Sequence, residues 1–150
     1  MGTSDLASEP NAEREVRTIH GAEYPAGKDI RRALGNWGEQ LAAEYLIALG
    51  WKIIARNWRC PVGEADLICL EPAAERLPIG VVVEVKCRSG RGFGDPLEAI
   101  TYAKQKKLRQ LAVAWRKAEI AALSDLRVDA VGILKLPGAA PLIRHVRGAA

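Results

Sequence analysis

The residues best suited to chemistry are two acids and a lysine, Asp66, Glu84 and Lys86, each embedded in an apolar stretch. The run Val81-Val82-Val83-Glu84-Val85-Lys86-Cys87-Arg88 reads as a strand, whose side chains alternate between two faces. Val81, Val83, Val85 and Cys87 then fill a core, while Val82, Glu84, Lys86 and Arg88 share the other face. Glu64 to Leu70 reads as a partner strand, joined to Ile79–Arg88 through the polar segment Glu71 to Pro78. In an antiparallel hairpin centred near Glu75, Asp66 faces Glu84 and Glu64 faces Lys86. Opposed like charges are unfavourable unless something positive stands between them, and a divalent cation that prefers oxygen answers that need. The Val85 carbonyl would complete the protein's share of a Mg²⁺ shell, leaving positions for water and a phosphate oxygen. Lys86, one pleat from Glu84, would orient or deprotonate water for in-line attack at phosphorus and offset the charge that develops there. A Glu-x-Lys tripeptide alone is common on solvated strand faces; the upstream aspartate is what gives it weight.

The elements that must position these residues follow from periodicity. Trp37, Leu41, Ala42, Tyr45, Leu46 and Leu49 recur at helical spacing from Gly35 onward, and Gly50 stands where a helix ends in the left-handed region. Trp51 to Asn57 reads as a strand, and Pro61 to Gly63 as the turn into the next. Beyond the Gly-rich connector 89–94, Asp95-Pro96-Leu97-Glu98 supplies an N-cap, a first-turn proline and an acid. A long helix should follow to about Leu123, with Leu97, Ile100, Leu108, Leu111 and Trp115 facing inward. Arg127 to Leu134 and Leu142 to Val146 read as two further strands. The expected architecture is α/β (α+β), a mixed central sheet flanked by helices in the order α-β-β-β-α-β-β.

Lys104 interrupts the apolar stripe of the second helix, where a lysine must snorkel or find a partner. Lys106, Lys107, Arg109, Arg116 and Lys117 would track a polyanion or form a solvated face. Asn57, Arg59, Arg88 and Arg91 flank the acids and are the stronger phosphate candidates. Trp51, Trp58 and Trp115 read as core, since no aromatic-rich strand face accompanies them.

A chain of 150 residues with 49% hydrophobic content suits one domain. Residues 1–28 mix Ser, Glu, Pro, Gly and Ala without an apolar period, as a disordered tail would, leaving 29–150 as the folded domain. That tail would be either an extension without function or a flexible arm for a partner. It holds five acids and three bases, so the +4 of the whole chain becomes +6 for the remainder, which favours a polyanionic partner. Three widely spaced cysteines, Cys60, Cys69 and Cys87, argue against a disulfide framework or a zinc knuckle and for a reducing cytoplasm. No apolar run approaches the roughly 18 residues that cross a bilayer, so a membrane partner is not expected.

Gly35-x-x-Gly38-Glu39, Asn57-x-Arg59, Gly63-Glu64-Ala65-Asp66, Val83-Glu84-Val85-Lys86-x-Arg88, Phe93-Gly94, Lys104 and Arg127-Val128-Asp129 resemble, in order and spacing, the bacterial YraN-like family of uncharacterised proteins. The likeness spans roughly residues 31 to 146. That family is identified as a member of the PD-(D/E)XK nuclease superfamily, with the restriction-endonuclease-like fold, and is similar to archaeal Holliday junction resolvases. The resemblance implies Asp66 and Glu84 as metal-binding acids and Lys86 as the catalytic lysine. It implies that Glu39, on the first helix, reaches the same metal; a glutamate that merely complements the helix dipole is the plainer alternative. For Lys104 it implies an active-site or phosphate contact. Glu64 is either a further metal ligand or a partner for Lys86 or Arg59. The chain departs from the family at Val128, where an aromatic is usual, and at Cys87, where a threonine-like residue is usual; both replacements remain compact.

Three functions fit these residues. The first is a Mg²⁺- or Mn²⁺-dependent endonuclease acting on DNA, including branched or recombination intermediates, where a homodimer would bring two sites to two strands. The second is a non-catalytic nucleic-acid-binding module acting through a partner. The third is a scaffold whose charged strand face only solubilises it.

Overall fold

A computed structural model describes residues 16–19, 22–25, 30–90, 96–119 and 122–150. The first helix, α1 (Ile30–Ala48), begins before Gly35 and ends as its glycine signal requires. Gly50 has φ 93°, the Trp51 N–H donates to the Leu46 carbonyl at 3.1 Å and the Gly50 N–H to that of Ile47 at 2.9 Å. This is the paired-bond termination in which a left-handed glycine satisfies the last carbonyls, and Leu46 and Trp51 both enter the core beside it.

Five strands form one mixed sheet in chain order: β3 (Lys52–Cys60), β4 (Gly63–Ala73), β5 (Arg76–Ser89), β6 (Asp125–Lys135) and β7 (Leu142–Val146). Two short strands fall inside the stretch read as a tail: β1 (Val16–Ile19) and β2 (Ala22–Pro25) pair with each other, and β2 runs beside α1. The rest of residues 1–28 lies outside the described residues. Between β4 and β5 the register runs from Leu67 opposite Val83 to Glu71 opposite Ile79, as a hairpin centred near Glu75 requires. The expected polar connector Glu71 to Pro78 is not a loop. Both strands continue through it to a tight turn at Ala74-Glu75, with Glu75 at φ 57° and a one-residue shift between Glu71 and Ala73.

β5 and β6 are parallel, so the chain must cross over between them, and it does so through the 3₁₀ turn Pro96–Ala99 and helix α2 (Tyr102–Glu119). The single long helix expected from Asp95 to Leu123 is therefore broken. Leu97 lies against Gly132 of β6, where a Cβ would come within 3.0 Å of it, and Thr101 starts α2 anew by accepting the Lys104 N–H at 3.2 Å. The expected cap at Asp95 lies outside the described residues.

The sheet is covered on both faces, which is why its central strands are nearly continuous in apolar residues. On one face Trp37, Leu41, Ala42 and Leu46 of α1 pack on Leu67, Cys69, Val81, Val83, Val131 and Ile133. On the other, Leu108, Leu111, Ala112 and Trp115 of α2 pack on Ile68, Val82 and Val128. The valines of β5 thus split between two cores. The face that carries Glu84 lies under a helix: Val82 is buried and Glu84 only 5% exposed, so a merely solubilising strand face is ruled out there. Trp51 and Trp115 are buried as expected, with Trp58 packed at the margin. Among the described residues no helix is long and apolar enough to cross a membrane.

Candidate active site where two strands part

Pairing between β4 and β5 ends at Leu67 and Val83, although β4 runs on beside β3 to Gly63 and β5 beside β6 to Ser89. Asp66 sits at that parting. Its Oδ2 accepts the Val85 N–H at 2.8 Å, so the side chain takes the place of the missing ladder bond. Because the N–H and C=O of one strand residue leave from the same edge, the Val85 carbonyl faces the gap as well.

Two acids and two lysines share the site. Burial, then the neighbouring Glu84 carboxylate, push the Asp66 pKa up to about 6, against the lowering pull of the Val85 N–H, Lys104 and Lys86. Lys104 reaches from α2 and places Nζ 3.3 Å from Glu84 Oε1, with a side chain about one-third exposed; it is bound at the site, not snorkelling. Glu39, on the face of α1 turned to the same region, is also raised above the ordinary carboxylate range. Burial is the first cause, followed by Asp66 and Glu64, with Arg56 and a hydrogen bond from Asn57 opposing. A first-turn dipole role does not describe Glu39, which lies in the middle of a 19-residue helix.

The phosphate candidates divide. Arg59 is paired with Glu64 across the β3–β4 ladder, Nε to Oε2 at 2.9 Å, which settles Glu64's partner as Arg59 and not Lys86. Both are well exposed, so the pair contributes little stability. Asn57 adopts φ 51° opposite Asp66, a left-handed position that asparagine tolerates, and its side chain turns to Glu39. Arg88 and Lys86 line a cleft between β5 and α1. Arg91 lies outside the described residues. On α2, Lys106, Lys107, Arg109, Arg116 and Lys117 are exposed.

Among the described residues no three His, Cys, Asp or Glu side chains gather as a cage for a metal ion. The oxygen donors nevertheless suit a hard divalent cation that keeps most of its waters, for which one or two carboxylates and a substrate phosphate suffice. The raised pKa of Asp66 comes first from burial and then from the Glu84 carboxylate, and a bound cation would lower it. Burial pushes the Cys69 and Cys87 thiols up to about 12, which disfavours their thiolates.

A second polar cluster was not foreseen. Asp129 of β6, fully buried, accepts from Arg127 (Nε at 2.7 Å, Nη2 at 2.9 Å), His145 Nε2 at 2.8 Å and the Gly148 N–H at 3.1 Å. Burial by itself would raise its pKa, but these donors lower it below the ordinary value. The Tyr45 hydroxyl stands 3.1 Å from His145 Nδ1, and Arg127 also pairs with Glu71 at 2.7 Å. Since the ionised Asp129 can only accept, His145 carries its proton on Nε2, and a neutral ring then accepts the Tyr45 hydroxyl at Nδ1. The readable signal was an acid, Asp129, set inside the otherwise apolar run Val128 to Leu134 of β6.

Fold and site thus define a mixed α+β protein with a five-stranded sheet, two covering helices and a buried glutamate, paired with a lysine, beside a half-buried aspartate. Residues 38–133 match the model of the uncharacterised protein family UPF0102, and the chain belongs to that family, the YraN-like group its motifs resemble. It is 48% identical over 117 residues to a UPF0102 protein of Rhodococcus opacus, spanning 78% of this chain and 95% of the relative. To one of Acidothermus cellulolyticus it is 45% identical over 129 residues, spanning 79% and 94%. To one of Nocardia farcinica it is 42% identical over 117 residues, spanning 78% and 88%.

Proposed function

We propose that this protein is a Mg²⁺- or Mn²⁺-dependent endonuclease that hydrolyses DNA phosphodiester bonds, with branched or recombination intermediates as substrates. The sheet and helices are compatible with the restriction-endonuclease-like fold of the PD-(D/E)XK superfamily. The observation that carries the reading is the parting of β4 and β5 at Asp66, with Glu84 and Lys86 beside it and the Val85 backbone turned into the gap. Asp66, Glu84 and the Val85 carbonyl would hold the cation, with Glu39 assisting from α1. When bound, the cation supplies Lewis-acid polarisation of the phosphate and a more acidic water. Lys86 would orient the attacking water and offset charge on the phosphate, while Lys104 pairs with Glu84 and turns it to the site. Arg88 and the basic face of α2 attract the backbone from outside.

The Lys104–Glu84 pair also favours a second reading, a non-catalytic nucleic-acid-binding module, since an ammonium already half-neutralises the acids without a metal. Purified protein incubated with single-stranded, duplex and four-way DNA in Mg²⁺ or Mn²⁺, beside Asp66→Ala and Lys86→Ala, separates the two. The nuclease is expected to cut, and each variant to lose about 100- to 1000-fold of the rate. Cleavage surviving both substitutions would remove the assignment. Binding without cleavage by every form would establish the module.

A further inference from the structure

Gly35 and Gly38 stand one turn apart on α1, but the packing accounts for only one of them. A Cβ on Gly38 would come within 2.8 Å of the Cys87 Cβ, so glycine there lets the helix approach β5. Among the described residues, a Cβ on Gly35 would meet nothing within 4 Å. Glycine inside a helix is about 1 kcal/mol less favourable than alanine, so packing among the described residues gives no reason for it at position 35. Gly35 does line a cleft of about 720 Å³ between the first half of α1 and the end of β5, together with Arg31, Leu34, Glu39, Lys86 and Arg88.

Besides the Glu39 carboxylate, the lining has two characters. Arg31, Arg88 and Lys86 supply cations, and among the described residues neither arginine forms an ion pair. The first turn of α1 holds no acid to neutralise them. Leu34 and the bare backbone at Gly35 supply an apolar, unobstructed wall. Phosphates beside a flat ring or sugar are the ligand chemistry that matches both, and the volume suits a small ligand of one or two nucleotides and not a duplex.

We infer that this cleft is a subsite for an unpaired nucleotide of the DNA strand being acted on. Its base or sugar lies against Leu34 and Gly35, and its flanking phosphates are held by Arg31 and Arg88. The placement next to Lys86 and Glu39 rests on the nuclease reading; the binding does not.

The test measures binding of a labelled single-stranded oligothymidylate, and of the corresponding duplex, by fluorescence anisotropy on the full chain with chelator present, so that no strand is cut. Gly35→Ala is expected to raise the thermal midpoint, because it improves the helix and clashes with nothing, yet to weaken single-strand binding about threefold. Gly35→Leu, which fills the cleft, should weaken it about tenfold; if it fails to fold, the better-folded alanine variant still decides. Arg31→Ala and Arg88→Ala should each lower the salt slope by about 0.7. Wild-type affinity in both Gly35 variants overturns the subsite, as does duplex binding that equals single-strand binding and falls equally in Gly35→Leu. A wild-type protein that cuts DNA while Gly35→Leu binds normally defeats the subsite alone. One that cuts nothing while Gly35→Ala loses affinity defeats the nuclease reading alone.

Discussion

Asp66 on β4 and Asp129 on β6 are acids of the same sheet, one half-buried and one fully buried on either side of β5, and their surroundings treat them in opposite ways. Asp129 receives a forked arginine, a histidine and a backbone N–H, and its pKa falls despite complete burial. Asp66 accepts one N–H among the described residues and looks toward a second carboxylate, and its pKa rises to about 6. A fully compensated buried charge fixes structure: Asp129 ties β6 to β7 and to the end of the chain. Asp66, raised by burial and by Glu84, is the less compensated of the two, and a cation bound there would relieve it.

The largest effect expected of this contrast is on folding. Asp129→Ala leaves the buried His145 Nε2 and the Gly148 N–H without their acceptor and Arg127 with Glu71 alone, and should destabilise by about 3–5 kcal/mol in urea unfolding; a loss under 1 kcal/mol would show that the network does not hold β7. Asp66→Asn should do the reverse. Its cleavage rate falls about 100- to 1000-fold, while its urea midpoint at pH 7 without divalent cation equals or exceeds that of the unsubstituted protein.

The pH dependence sharpens the same point. The folded Asp66 pKa lies above its unfolded value, so its favourable contribution is complete below about pH 4 and is lost as pH rises through about 6. Urea midpoints of Asp66→Asn and the parent should therefore agree near pH 4 and diverge by pH 7. Mg²⁺ should close that gap by raising the parent's midpoint alone. For Asp129 the sign is opposite: its contribution is present above the unfolded value and disappears as pH falls through the lowered folded one. The smallest effect is that of Tyr45→Phe, which removes the hydroxyl at His145 Nδ1 and should cost about 1 kcal/mol in urea unfolding with cleavage unchanged.

Much of this was legible in the chain. The hairpin register that sets Asp66 toward Glu84 follows from alternation and a turn near Glu75, both local properties. The end of α1 at Gly50 follows from the same kind of signal. The break between Pro96–Ala99 and α2 was not legible, because it depends on Leu97 finding Gly132 on a strand 35 residues later. Nor was the partner of Lys104: a lysine inside an apolar helical stripe announces a need, but which acid answers it is decided by how α2 lies over β5.

The sequence by itself determined which residues alternate, which stretches must be covered, and that acids and a lysine share one strand edge, because these depend on periods of two and 3.6 residues. Tertiary structure decided which charges are compensated. His145 and Gly148 reach Asp129 only when β7 closes on β6, whereas β4 and β5 no longer pair with each other beyond Leu67 and Val83. Compensation requires donors from distant segments within about 3 Å, and no local pattern specifies that distance.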